Sequence, residues 1–158
     1  MVRRFAIGFV TLSLTSLSGA TLAQDVKHGT EAEARAMLQK TITAVKADKA
    51  KALEMIAKGE GGFLDRDLYP FCFNNTDGKI HPYPNPNTAA LFGTDERKVI
   101  DASGKNVGQM NFDAAQKPEG TITEVSFVWP KPSDSKPSPK VAFVTRIGEL
   151  GCGVGYYK

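Results

Sequence analysis

Cys72, Cys152, His28 and His81 are the side chains of widest chemical range in this 158-residue chain. They are too few and too scattered for a structural metal site, which takes four Cys or His ligands at short spacings. No Ser-His-Asp order and no carboxylate pair beside an aromatic cluster stands out, so nucleophilic and acid–base catalysis have thin support. Free thiols would carry redox chemistry. Bridged, they would close a loop of about 80 residues, a constraint worth ~4 kcal/mol on the chain-entropy model. His81 ends a short segment and precedes a Pro-rich loop, a place where a sheet offers polar groups to a small molecule.

The element that must position His81 is LYPFCFN, residues 68–74. Tyr69, Phe71 and Phe73 alternate with Leu68, Pro70 and Cys72, the two-residue period of a strand with both sides at least partly buried. Asn74, Asn75, Asp77 and Gly78 suit a reversal, so residues 79–82 are expected to lie beside the first strand as a second.

Residues 1–23 carry the marks of a secretory signal: Arg3 and Arg4, an apolar run over 5–17, and small residues at Thr21-Leu22-Ala23. The run is shorter than the roughly 20 residues of a membrane span. Residues 24–158 are then one domain, expected to be secreted into a periplasm. The whole chain has 20 basic and 17 acidic residues. Without Arg3 and Arg4 the count is 18 to 17, a balance that gives no support for nucleic-acid or polybasic membrane binding. In an oxidising compartment an even cysteine pair favours a bridge.

Thr30-Glu31-Ala32-Glu33 has capping-box spacing and opens a helix whose stripe runs Ala34, Leu38, Ile42 or Thr41, and Val45. Continuing it would put Lys49 in the seam. Asp48 is a good cap, so a break is expected near 47–49, then a shorter helix with Ala52, Leu53 and Ile56 that ends at Gly59. PYPNPNTAALFG reads as a stiff loop, and Val107, Met110, Asn111 and Ala114 predict a short helix over 105–116. Strands are expected over 121–129, 141–147 and 150–158, with residues 130–139 as a protruding hydrophilic connection. In the last strand Gly151, Gly153 and Gly155 share one face, which predicts that something bulky comes close: the aromatic strand, a helix backbone or a ligand. If that strand pairs antiparallel with the first, Cys72 and Cys152 face each other. The sum is an α+β domain, a five-stranded antiparallel sheet with a long N-terminal helix packed on it.

This order of motifs resembles the single Cache domain, type 2, a PAS-like extracellular sensor fold, over residues 31–157. The resemblance is carried by the aromatic strand Tyr69 to Asn74 with Asp77-Gly78 and His81-Pro82, by Gly93, by Asp101 with Gly104-Lys105, by Trp129-Pro130-Lys131-Pro132 followed by Pro139-Lys140, and by Gly153-Val154-Gly155-Tyr156-Tyr157. It implies a standalone exported member whose pocket lies against the sheet and takes a small molecule, often a carboxylate. Tyr69, His81, Trp129 and Lys140 are its implied pocket residues, with Tyr157 beside them. The side chains suit that role: Lys140 to neutralise a carboxylate, His81 and Tyr69 to donate hydrogen bonds, Trp129 to close on the apolar part. Pro70 in the first strand and the cysteine pair depart from the family pattern.

The expected function is therefore a periplasmic sensor-type domain that binds a small organic acid or similar metabolite, not an enzyme, with no cofactor or metal. The alternatives are an accessory or structural protein docking on a membrane receptor through residues 130–139, and a thiol-redox enzyme acting through Cys72 and Cys152.

Overall fold

The computed structural model describes residues 28–158; the leader read over 1–23 lies outside the described residues. α1 (Glu31–Ala47) starts at the capping box: Thr30 Oγ1 accepts from Glu33 N at 3.3 Å, and Thr30 N donates to Glu33 Oε2 at 2.8 Å. Its buried stripe is Ala34, Met37, Leu38, Thr41 and Val45. Thr41 is buried in the seam with Ile42 partly buried beside it, and the Thr41 hydroxyl donates to Met37 O at 2.8 Å and so needs no water. Asp48 breaks the run and caps α2 (Lys49–Lys58) by accepting from Lys51 N at 3.0 Å. Gly59 ends α2 at φ 68°, the left-handed conformation that glycine adopts without strain.

β1 (Pro70–Asn74) lies at one edge of a four-stranded antiparallel sheet of order β1-β4-β3-β2, with β2 (Thr123–Lys131), β3 (Asp134–Ile147) and β4 (Leu150–Tyr157). The expected fifth strand over 79–82 is not one. His81 N donates to Cys72 O and Asn74 N to Lys79 O, but the pairing is reduced to isolated bridges, Phe73 with Ile80 and Lys79 with Asp95. Pro82 and Pro84 lack the N–H a ladder needs, and the chain leaves the sheet there.

Residues 130–139 also differ from expectation. They extend the β2–β3 hairpin, with Trp129 opposite Ser138 and Pro130 opposite Pro137. β2 is an edge strand, and β4 pairs with β3 only from Lys140 onward. The prolines therefore sit in a two-stranded ribbon, where a missing N–H can face solvent.

The final strand pairs antiparallel with the first, the condition under which the two cysteines face each other. Cys72 is directly opposite Cys152, Cα atoms 4.1 Å apart, and the two form a disulfide. On that face of the sheet α1 buries Ala34, Met37 and Leu38 against Phe143 and Val154. On the other face lies α3 (Val107–Ala115), capped by Asn106, with Phe112 stacked on Phe73 at 6.1 Å between ring centroids.

The three glycines of β4 explain how that second layer fits. A methyl at 151 would lie 2.4 Å from the Phe73 ring, one at 153 would lie 2.5 Å from the Phe71 ring, and one at 155 would lie 2.7 Å from Lys140 Cε. Each glycine thus leaves the space that one bulky side chain occupies. Gly153→Ala should push the Phe71 ring outward and lower stability by about 1–3 kcal/mol, measured by urea denaturation; an unchanged midpoint would show the ring moves freely.

Candidate functional site

A cavity opens between the glycine face of the sheet and the layer made by the Pro-rich loop, two 3-10 turns (Pro86–Leu91 and Glu96–Lys98) and α3. It holds about 370 Å³ of empty space counting its open mouth. Tyr69, Phe71 and Tyr83 form one part of the wall, Phe127, Trp129 and Lys140 another, and Glu96, Val99, Val107 and Asn111 a third.

Lys140 is 2% exposed. Its register opposite Phe127 on β2 and Tyr157 on β4 points it to the cavity face, and Gly155 leaves room for its stem. The ammonium sits 4.0 Å over the Tyr69 ring and 4.6 Å over the Tyr157 ring, and donates to Tyr157 Oη at 3.4 Å. Two ring faces replace part of the lost hydration. Among the described residues Lys140 forms no ion pair; Asp67 acts on it only from a distance. Burial pushes its pKa down to about 7 against that weak upward pull from Asp67.

The rings around Lys140 are held in place. Asn85 Nδ2 donates to Tyr69 Oη at 2.8 Å and to Pro130 O at 3.0 Å, and Tyr157 Oη donates to Pro130 O at 2.7 Å. Tyr69 stacks on Tyr83, centroids 5.6 Å apart and rings 9° from parallel. Trp129 meets Phe127 edge to face at 5.7 Å. Burial raises the Tyr69 phenol well above its ordinary value, so it stays a neutral hydroxyl.

A second polar group lies elsewhere on the wall. Glu96, 6% exposed, accepts from Asn111 Nδ2 at 2.9 Å. Burial lifts its pKa to about 7, against the Asn111 hydrogen bond and with a contribution from Asp95.

Of the five residues singled out from the sequence, the fold brings Tyr69, Trp129, Lys140 and Tyr157 together, Tyr157 beside Lys140 and not on the cavity wall itself. His81 is not a lining residue. Its Nε2 meets Asn74 Oδ1 at 2.9 Å on the β1 turn, and Tyr83, two positions on, enters the cavity instead. Asn85, Glu96 and Asn111 were not among the candidates. Asn85-Pro86 carried a usable signal, an amide cap ahead of a proline at the first helical position; Glu96 and Asn111 carried none.

A family model described as Single Cache domain 2 matches residues 20–157. Among solved structures, the chain is similar to a methyl-accepting chemotaxis protein from Vibrio parahaemolyticus RIMD 2210633, at 23% identity and TM-score 0.63, covering 80% of this chain and 86% of that one. It is similar to a periplasmic sensor domain of a chemotaxis protein, at 21% identity and TM-score 0.56, covering 80% and 88%. A third, at 21% identity and TM-score 0.57, covering 80% and 86%, is a Cache chemosensory domain whose structure addresses carboxylic acid recognition. No curated protein matches the chain.

The two buried titrating groups predict opposite pH slopes. Lys140 gives up its proton near 7 in the fold but near 10.5 in the unfolded chain, so the unfolded state holds more protons between those values and stability rises with pH there. Glu96 keeps its proton to about 7 in the fold but to 4.5 unfolded, so its contribution is full below 4.5 and lost as pH rises to 7. Chemical denaturation of ligand-free protein should show Lys140→Met more stable than wild type at pH 6, the gap closing toward pH 10. A gap constant with pH would contradict the buried-charge assignment.

Proposed function

Since the chain belongs to the Single Cache domain 2 family, we propose that it is a periplasmic sensor-type domain that captures a small carboxylate in the cavity beside Lys140. The observation that carries the reading is the Lys140 ammonium, buried under two tyrosine rings with no ion-pair partner among the described residues. A carboxylate arriving there supplies the missing counter-charge, and the low local dielectric strengthens the pair. The remaining wall is apolar and aromatic, which suits a short hydrocarbon body. Tyr69 and Trp129 complete the subsite, with Tyr157 and Asn85 holding the geometry.

The leader pattern read in residues 1–23 supports placement outside the cytoplasm; among the described residues no helix is long and apolar enough to cross a membrane. The cysteine pair supports binding over redox chemistry: Cys72 and Cys152 are buried and bridged, 1% and 0% exposed, so the pair acts as a staple between β1 and β4.

Thermal melts with acetate, propionate and butyrate test the proposal. A ligand at a hundred times its Kd adds about 2.7 kcal/mol to the native state, so at least one acid should raise the melting temperature by several degrees. Lys140→Met should remove that rise while leaving the protein folded. No response to any short carboxylate at millimolar concentration, or an undiminished response in the variant, would overturn it.

A further inference from the structure

Asn111 is 3% exposed, and its Oδ1 has no hydrogen-bond partner although the atom is sealed from solvent. Leaving a buried acceptor unsatisfied is costly, and such groups are rare enough to require a reason. Asn111 is one of the residues that line the cavity. Its amide is not free to turn elsewhere, because Nδ2 is committed to Glu96 Oε1 at 2.9 Å.

The neighbour sharpens the chemistry. Glu96 lines the same part of the wall, buried, and among the described residues its side chain takes that one donor. Among the described residues no protein donor meets Asn111 Oδ1, and the Asn111 amide is the donor that meets the Glu96 carboxyl group. A hydrogen-bond donor is what this corner lacks, and an apolar ligand atom there would leave Oδ1 unpaired.

The corner is separate from Lys140. Lys140 stands on β3 and Asn111 on α3, in the two layers that enclose the cavity. Phe127, Val99 and Val107 supply apolar wall of the same cavity.

We infer that the ligand is bifunctional: a carboxylate held by Lys140 and, at the far end of a short apolar linker, a hydroxyl or ammonium that donates to Asn111 Oδ1 and the Glu96 carboxyl group. This rests on the carboxylate reading and narrows its substrate class to ω-hydroxy and ω-amino acids over plain alkanoates. Asn111 is a specificity-determining residue, and the Glu96–Asn111 pair selects the ligand's distal group.

Calorimetric titration of the full chain tests this with 4-hydroxybutyrate, 4-aminobutyrate and butyrate, and with the matching sets one carbon shorter and longer. Wild type should bind a donor-bearing acid at least about tenfold tighter than its matched alkanoate, and the arm that binds tighter identifies the donor. Asn111→Leu, of similar size and without the acceptor, should abolish the preference and bind butyrate no worse than wild type does. Lys140→Met should weaken every arm together. Equal binding of butyrate and both substituted acids by wild type would overturn this inference and leave the carboxylate site standing. Binding of none of them would remove both. Circular dichroism of Asn111→Leu guards against misfolding; if that variant does not fold, the wild-type ratios decide alone.

Discussion

A lysine ammonium leaves water only at a large cost, and the architecture around Lys140 is arranged to bear it. The side chain starts from β3, runs over a residue with no side chain, Gly155, and ends between the faces of Tyr69 and Tyr157. Each ring is fixed by a hydrogen bond that converges on Asn85 or Pro130 O. What the site does not contain, among the described residues, is an acid in ion-pair contact. Had one been present, the pair would be internally neutral and indifferent to an anion. The residual attraction is left for something that enters from outside.

The sheet makes this arrangement possible through one strand. β4 has two faces of different character: Cys152, Val154 and Tyr156 on the side of α1, and Gly151, Gly153 and Gly155 on the other. The bare face lets the Phe73 and Phe71 rings and the Lys140 stem lie flat, with α3 and the Pro-rich loop closing above them. The Cys72–Cys152 bridge locks the register in which these contacts match, because a one-residue slip would turn glycines toward α1 and side chains into the cavity. Sheet register, glycine placement and buried charge are therefore one design.

Much of the fold was legible in local chemistry. Thr30 with Glu33, Asp48 and Gly59 are caps whose partners lie within four residues, and they mark the helix ends as expected. The glycine triplet announced bulky neighbours, and the even cysteine pair announced a bridge, which β1–β4 pairing makes possible. The errors have a common origin in proline. Pro82 and Pro84 turn an apparent second hairpin arm into a short bridge, while Pro130, Pro137 and Pro139, read as loop, sit in a ribbon because the edge gives their missing N–H no work to do. His81 was placed by its position at a strand end, but the lost strand leaves its ring on the Asn74 turn. Glu96 and Asn111 stand 15 positions apart in unremarkable surroundings. Only the packing of a 3-10 turn against α3 makes them neighbours, and no one-dimensional spacing reports that.

The most direct measurement of the central claim is the titration of the Lys140 side chain itself, followed by NMR in protein with labelled lysine, with and without a saturating short carboxylate. The account predicts that the ligand-free ammonium loses its proton near pH 7 and that the carboxylate moves this loss upward by more than one pH unit. Titration at the ordinary lysine value in the free protein, or a midpoint that the acid leaves unmoved, would contradict it.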